Sequence, residues 1–143
     1  MKLNIDLIKS LLAIIEESPD YPEPTRHSLN TIALGITPFA NDCITDAEAR
    51  LIFYHFELLI DGGLIDGEIH VDVRERCISY EVYIDRLTWE GHAFLANAQN
   101  ATVWERFKSV SRHVGSFSLD VAKLSLAGIA QQQVMQAAAS VLQ

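Results

Sequence analysis

Cysteine is scarce in this chain of 143 residues, which contains only Cys43 and Cys77. The two lie 34 positions apart and form no paired motif. A zinc finger or a disulfide framework requires more ligands at closer spacing. We therefore expect two reduced thiols in the cytoplasm of a bacterial cell, with no metal and no cofactor.

Long hydrophobic runs are absent as well, since no stretch approaches the roughly 18 uninterrupted apolar residues that span a membrane. Asp6 interrupts the N-terminal segment, and no small-residue cleavage site follows it, so we expect neither a signal peptide nor a membrane partner. Hydrophobic residues still make up 49% of the chain, enough for one packed core.

The sequence also lacks the motifs of common catalytic sites. It has no His-Glu-x-x-His run, no Gly-x-Ser-x-Gly elbow and no phosphate-binding glycine loop. Glu68, His70 and Asp72 share one face of a predicted strand, where a metal site competes with an ordinary solvent-exposed face, and the exposed face is favoured. We expect no catalytic residues, no enzymatic activity and no small-molecule substrate.

Positive charge is scarce in the first two thirds of the chain. The formal net charge is −8, and residues 1–98 hold 7 Lys/Arg against 17 Asp/Glu, whereas residues 99–143 hold 4 against 2. Because non-specific affinity for nucleic acid comes from positive charge, this acidic part weakens any approach to DNA.

The patterns that are present alternate between helix and strand. Apolar residues at helical spacing predict helices over residues 4–18, 45–61, 89–98 and 101–114, and a last helix from Ser116 or Ser118 nearly to the C-terminus. Asn4 and Thr88 are the expected caps of the first and third of these helices. Strict alternation over residues 68–74 and 78–85 predicts a hairpin with one solvated face. Residues 25–44 are ambiguous, with a short strand expected over 31–36.

The elements follow the order of a winged helix-turn-helix: a helix that stops at Gly62-Gly63, then a hairpin, then another helix. We therefore predict an α+β fold, with a winged-helix domain over residues 1–98 and a helical extension over 99–143. Thr45 and Glu48 form a capping box at the start of the predicted recognition helix. The first helix of the helix-turn-helix pair is short or missing between residues 25 and 44, which disfavours simple DNA docking.

Several short runs carry a closer resemblance. They are Asp6-Leu7-Ile8, residues 17–22, Tyr54-His55, Leu87-Thr88-Trp89-Glu90-Gly91-His92 and Thr102-Val103-Trp104. Over most of residues 1–120 the chain resembles an uncharacterised family, domain of unknown function family 2513, of bacteria, prophages and other mobile elements. The resemblance implies a winged-helix half and a mobile-element setting, and it brings no established activity and no catalytic residues.

Two functions follow from these observations. One is a regulatory protein that binds another protein, such as a host or defence complex, through Arg50, Phe53, Glu57 and Ile60 on the recognition helix. The other is a dimeric DNA-binding regulator that uses Arg50 with the wing residues Arg74 and Arg76. A DNA reader needs outward Arg, Lys, Asn or Gln, and the polar positions of this helix are Glu48, Arg50, His55, Glu57 and Asp61.

The C-terminal extension predicts two further surfaces. A basic stretch with an aromatic residue could contact phosphate, an acidic partner or the acidic part of its own domain; it comprises Trp104, Arg106, Lys108, Arg112 and His113. The last helix has little polar face, which favours a homodimer over packing against the first helix. The expected dimerisation residues are Leu119, Leu126, Ile129, Val134 and Val141.

Overall fold

The computed structural model describes residues 2–17, 25–28, 47–74 and 77–142, and side chains are described for all of these except 25–28, 47–49, 71–74 and 77–81. Over these residues the fold is α+β. In chain order the elements are α1 (Ile5–Glu16), β1 (Thr25–Ser28), α2 (Ala47–Asp61), β2 (Ile65–Arg74), β3 (Cys77–Leu87), α3 (Trp89–Gln99), α4 (Ala101–Val114) and α5 (Leu119–Val141).

Four helices begin at a side chain that accepts a hydrogen bond from the first helical turn. This arrangement satisfies one of the backbone N–H groups that a helix start leaves unpaired. The capping residues are Asn4, Thr88, Asn100 and Ser118. The predicted caps at Asn4 and Thr88 and the alternative start at Ser118 are confirmed, whereas the Asn100 cap was not predicted. The predicted capping box at Thr45 lies outside the described residues.

The three strands form an antiparallel sheet in the order β1-β3-β2. The predicted hairpin is confirmed and is longer than expected, with Ile65 paired to Leu87 at one end and Arg74 paired to Cys77 at the other. Strand β1 pairs with β3 from Thr25 to Ser28 and was not predicted. The strand expected over residues 31–36 lies outside the described residues.

One hydrophobic core joins the helices to the sheet. It includes Leu11 of α1, Phe56 of α2, Ile84 of β3, Leu95 of α3 and Phe107 of α4, each at most 2% exposed. Leu126 of α5 is fully buried in the same core. The predicted extension therefore packs into the core that residues 1–98 build. None of the described helices is long and apolar enough to cross a membrane.

Three hydrogen bonds of Thr88 hold the junction between β3 and α3. Thr88 Oγ1 accepts a hydrogen bond from the Gly91 N–H at 3.0 Å and donates one to the carbonyl oxygen of Gly63, just after α2. The Thr88 N–H donates to the Leu64 carbonyl oxygen at 3.1 Å. These three bonds fix the start of α3 against the end of α2.

Removing the Thr88 hydroxyl is therefore expected to destabilise the protein. T88A should lower the free energy of unfolding by about 1–2 kcal/mol, because the cap and the bond to Gly63 are both lost. Urea denaturation monitored by circular dichroism measures the loss. The control is T88S, which retains the hydroxyl and should recover most of the stability; equal losses for T88A and T88S would show that the hydroxyl contributes nothing.

Candidate functional site

Helix α2 presents a polar stripe on the side opposite the core. Arg50, Tyr54, Glu57 and Asp61 follow one another at intervals of four, three and four residues, which places them on one face of the helix. Arg50, Glu57 and Asp61 are exposed and Tyr54 is half-buried. We call these four residues the α2 stripe.

The α2 stripe is acidic towards its C-terminal end, where the carboxylates of Glu57 and Asp61 follow the single guanidinium of Arg50. Carboxylates repel DNA phosphates, while arginine and tyrosine are frequent anchors in protein–protein interfaces. The sequence identified Arg50, Glu57 and Asp61 as polar positions of this helix but missed Tyr54. Its spacing from Arg50 and Glu57 was the signal that could have identified it.

Trp89 is the most exposed aromatic residue among the described side chains, with 86% of its surface accessible. It directly follows Thr88, whose hydroxyl is bonded to Gly63 just beyond the C-terminal end of α2. The backbone of Trp89 therefore lies close to the C-terminal end of α2. Sequence reasoning placed Trp89 in a family motif without giving it a binding role.

Two residues predicted to face a partner belong to the core. Phe53 is 8% exposed, and Ile60 is half-buried against the same cluster. The apolar face of α2 is wider than a single stripe, since Ile52, Phe53 and Phe56 are all buried. The expectation that Phe53 and Ile60 form an outward binding surface is therefore corrected, whereas Arg50 and Glu57 are exposed as expected.

His55, which the sequence placed among the polar positions of α2, is fully buried. Its Nδ1 lies 2.8 Å from the Leu51 carbonyl oxygen, and its Nε2 accepts the backbone N–H of Asn4 at 2.8 Å. This pair of bonds requires a neutral ring protonated on Nδ1. Burial lowers the pKa of His55, and the bond to Leu51 opposes that shift only partly. His55 therefore holds the start of α1 against α2 and does not face solvent.

The predicted basic stretch in α4 is divided between the core and the surface. Trp104 is 5% exposed, so it offers no free ring for stacking on a base, and the Lys9 Nζ lies 4.9 Å from its ring centroid. Lys108 lies 3.6 Å from the Asp6 carboxylate of α1. Arg106 and Arg112 are exposed. The alternative of contact with the chain's own acidic part is therefore correct for Lys108.

The hairpin contains the two arginines that were predicted to contact DNA. Arg74 is the last residue of β2, and its side chain and the whole of Arg76 lie outside the described residues. Glu68 and His70 are both exposed, with His70 Nε2 3.3 Å from the Glu68 carboxylate. Among the described residues no three acidic, histidine or cysteine side chains are grouped to hold a metal.

The predicted dimerisation residues of α5 fall into two sets. Leu119 and Leu126 are 8% and 0% exposed and pack in the core of their own chain, which removes them from any interface. Ile129 is half-buried. Val134 and Val141 are 68% and 84% exposed. The buried set faces α3 and α4 because it occupies one side of the helix, so part of the expected intermolecular surface is intramolecular.

These observations define the protein as a small α+β protein with a three-stranded sheet, a polar helix stripe and an exposed tryptophan. The family described as "Hypothetical protein (DUF2513)" matches residues 2–118, and the chain belongs to that family. It is also similar to a protein of Haemophilus influenzae (strain ATCC 51907 / DSM 11121 / KW20 / Rd) described as "Uncharacterized protein". The two are 31% identical over 136 residues, covering 95% of this chain and 98% of the relative. No solved structure matches the chain.

Proposed function

We propose that this is a non-enzymatic winged-helix protein that regulates by binding another protein through the α2 stripe and Trp89. The observation that carries the proposal is the chemistry of this surface. Arg50, Tyr54 and Trp89 are the three residue types most enriched among the energetic anchors of protein interfaces. Glu57 and Asp61 beside them fit a partner with basic residues at the matching positions.

The winged-helix part of the proposal is supported by the order and pairing of the elements. A helix precedes β1, a second helix precedes the β2–β3 hairpin, and the first strand joins the sheet through the third. In a winged helix the helix before the hairpin is the recognition helix, which here is α2. The polar stripe therefore occupies the face that such a fold offers to its partner.

A second candidate function is a DNA-binding regulator. It is favoured by the same sheet order, by Arg50 on the outer face of α2 and by Arg74 at the end of β2. The carboxylates of Glu57 and Asp61 on that face oppose it, because each would approach phosphates without a compensating cation. We therefore rank protein binding first.

Single changes on this surface should reduce the capture of a partner from a nuclease-treated lysate of the native host. W89A removes an exposed side chain, and E57K reverses a charge of the α2 stripe. Both should keep the free energy of unfolding within about 0.5 kcal/mol of the wild type, because neither residue is packed in the core. Each should reduce partner retention at least ~10-fold. Quantitative mass spectrometry of the retained proteins measures the change.

The matched control is E105K, which reverses the charge of an exposed residue on α4. Its capture of the partner should equal that of the wild type. Retention of the same proteins by all four chains would contradict a binding role for the α2 stripe and Trp89. If the wild type captures proteins from an untreated lysate but not from the nuclease-treated lysate, the DNA-binding candidate is favoured.

A further inference from the structure

The C-terminal part of α5 extends beyond the rest of the described molecule. Gln133 is the last half-buried residue of the helix, and residues 134–142 are all exposed. This segment is roughly 14 Å long. A helical segment of that length is only marginally stable in water, and residues 124–143 contain no charged side chain that would favour solvation.

The exposed side of α5 has a heptad pattern that continues through this segment. Three columns of residues at intervals of seven lie side by side on the helix surface. Every member is exposed, and Gln131 alone is polar. We call this surface the α5 face; it consists of Leu124, Gln131 and Ala138, of Ala127, Val134 and Val141, and of Gly128, Met135 and Leu142.

A second uncovered feature adjoins the α5 face. Helices α3 and α5 border an open apolar groove of about 430 Å³, with Ala93, Phe94 and Asn97 on the α3 side and Leu124 and Ala127 on the α5 side. Leu124 and Ala127 also belong to the α5 face. The groove and the exposed helix end are therefore parts of one continuous surface, which is apolar apart from Glu90, Asp120 and Lys123 in the groove lining.

We infer that a second copy of the chain covers this surface, through an antiparallel pairing of two α5 helices about a twofold axis at Gln131. In this arrangement the helix end of each copy lies along the groove of the other, so one symmetry operation covers both features. A parallel pairing would place both helix ends together and leave both grooves open. Closed twofold pairing is the commonest form of oligomer among soluble proteins.

The sizes of the side chains fit the antiparallel register. Leu124 of one copy faces Ala138 of the other, Met135 faces Ala127 and Val134 faces Gly128, so a large side chain meets a small one at each of these levels. An alanine-type Cβ at Gly128 would have no neighbour within 4 Å in its own chain, so this position has room for a side chain from outside. The two Gln131 amides meet at the axis, where each can donate to the other.

The area of the surface is also adequate. Leu124, Val134, Met135, Val141 and Leu142 are between 63% and 87% exposed. Covering them in both copies removes on the order of 1,000 Å² from water, near the lower limit of specific interfaces. The absence of charges across the α5 face favours a second identical surface over an acidic or basic partner.

Sedimentation-equilibrium measurements on the full chain, over about 1–100 μM, test this inference. The wild type is expected to be a dimer in this range. M135E should weaken dimerisation at least ~100-fold, because it places an unpaired charge in the interface. The control Q136E adds the same charge one residue away, on the side of α5 turned from the α5 face, and should leave the dimer intact.

A cysteine at the axis tests the register. Q131C should form an intermolecular disulfide under mild oxidation, because the two copies of residue 131 face each other. Q136C, which retains the same two natural cysteines, should not. A wild type that stays monomeric throughout the concentration range, or a dimer that M135E leaves unchanged, would overturn the inference. A dimer that Q131C fails to cross-link would overturn the antiparallel register.

Discussion

Replacing Gly91 with alanine is expected to lower the free energy of unfolding by about 3–5 kcal/mol. A Cβ at this position would lie 1.9 Å from the carbonyl oxygen of Leu64 and 2.9 Å from its carbonyl carbon. Both are backbone atoms, and the same oxygen accepts the Thr88 N–H, so the chain cannot shift without breaking that bond. Urea denaturation of G91A at neutral pH measures the effect.

The matched control for this prediction is G128A. Gly128 also lies within a helix, but a Cβ there would meet no atom within 4 Å in its own chain. At low protein concentration, where the monomer dominates, G128A should stabilise the helix by up to about 1 kcal/mol. If G91A unfolds at the same urea concentration as the wild type, then α3 does not approach Leu64 as closely as the structure describes.

Replacing His55 with leucine is expected to cost about 2–3 kcal/mol at pH 7.5, because the part-buried hydrogen bond from the Asn4 N–H to the ring is lost. The difference between wild type and H55L should also depend on pH. Burial lowers the folded-state pKa of His55 below 6.5, so the unfolded state binds a proton more readily. The advantage of the wild type is therefore complete above pH 6.5 and declines as the pH falls towards the lowered pKa.

Urea denaturation of both proteins between about pH 5 and pH 8 measures this difference. Taking the difference removes the contribution of the carboxylates, which both proteins share. H92Q is the control, because His92 is exposed and its replacement should change the free energy of unfolding little. An advantage of the wild type over H55L that stays constant across this range would contradict a buried, neutral His55.

Local signals predicted much of the fold. The caps at Asn4 and Thr88, the hairpin and the limits of α4 all depend on interactions between residues close in sequence. Strand β1 was missed because four residues without an apolar alternation carry no such signal, and its pairing with β3 depends on residues more than 50 positions away. The exposed polar positions of α2 were predicted correctly for Arg50, Glu57 and Asp61.

Contacts between distant elements limited the prediction of the site. Periodicity shows that Phe53 and Leu126 lie on apolar faces. It does not show whether the residues that bury these faces belong to the same chain or to another. The sequence left open whether Lys108 contacts a partner or the acidic part of its own domain, and only the proximity of α4 to α1 decides for Asp6. Lys123 was not singled out, although its Nζ joins the Gly62 carbonyl at 2.7 Å and the Glu90 carboxylate at 3.1 Å.

The central claim is that the outer face of α2 binds a protein partner. The most direct test is to measure binding to duplex DNA. Fluorescence anisotropy should be measured with a labelled random duplex of about 30 base pairs, as salt is varied around about 150 mM. We expect no saturable binding at physiological salt for either the wild type or R50A. Tight binding that weakens steeply with salt and is lost in R50A would contradict it, because α2 would then contact phosphates or bases in spite of its carboxylates.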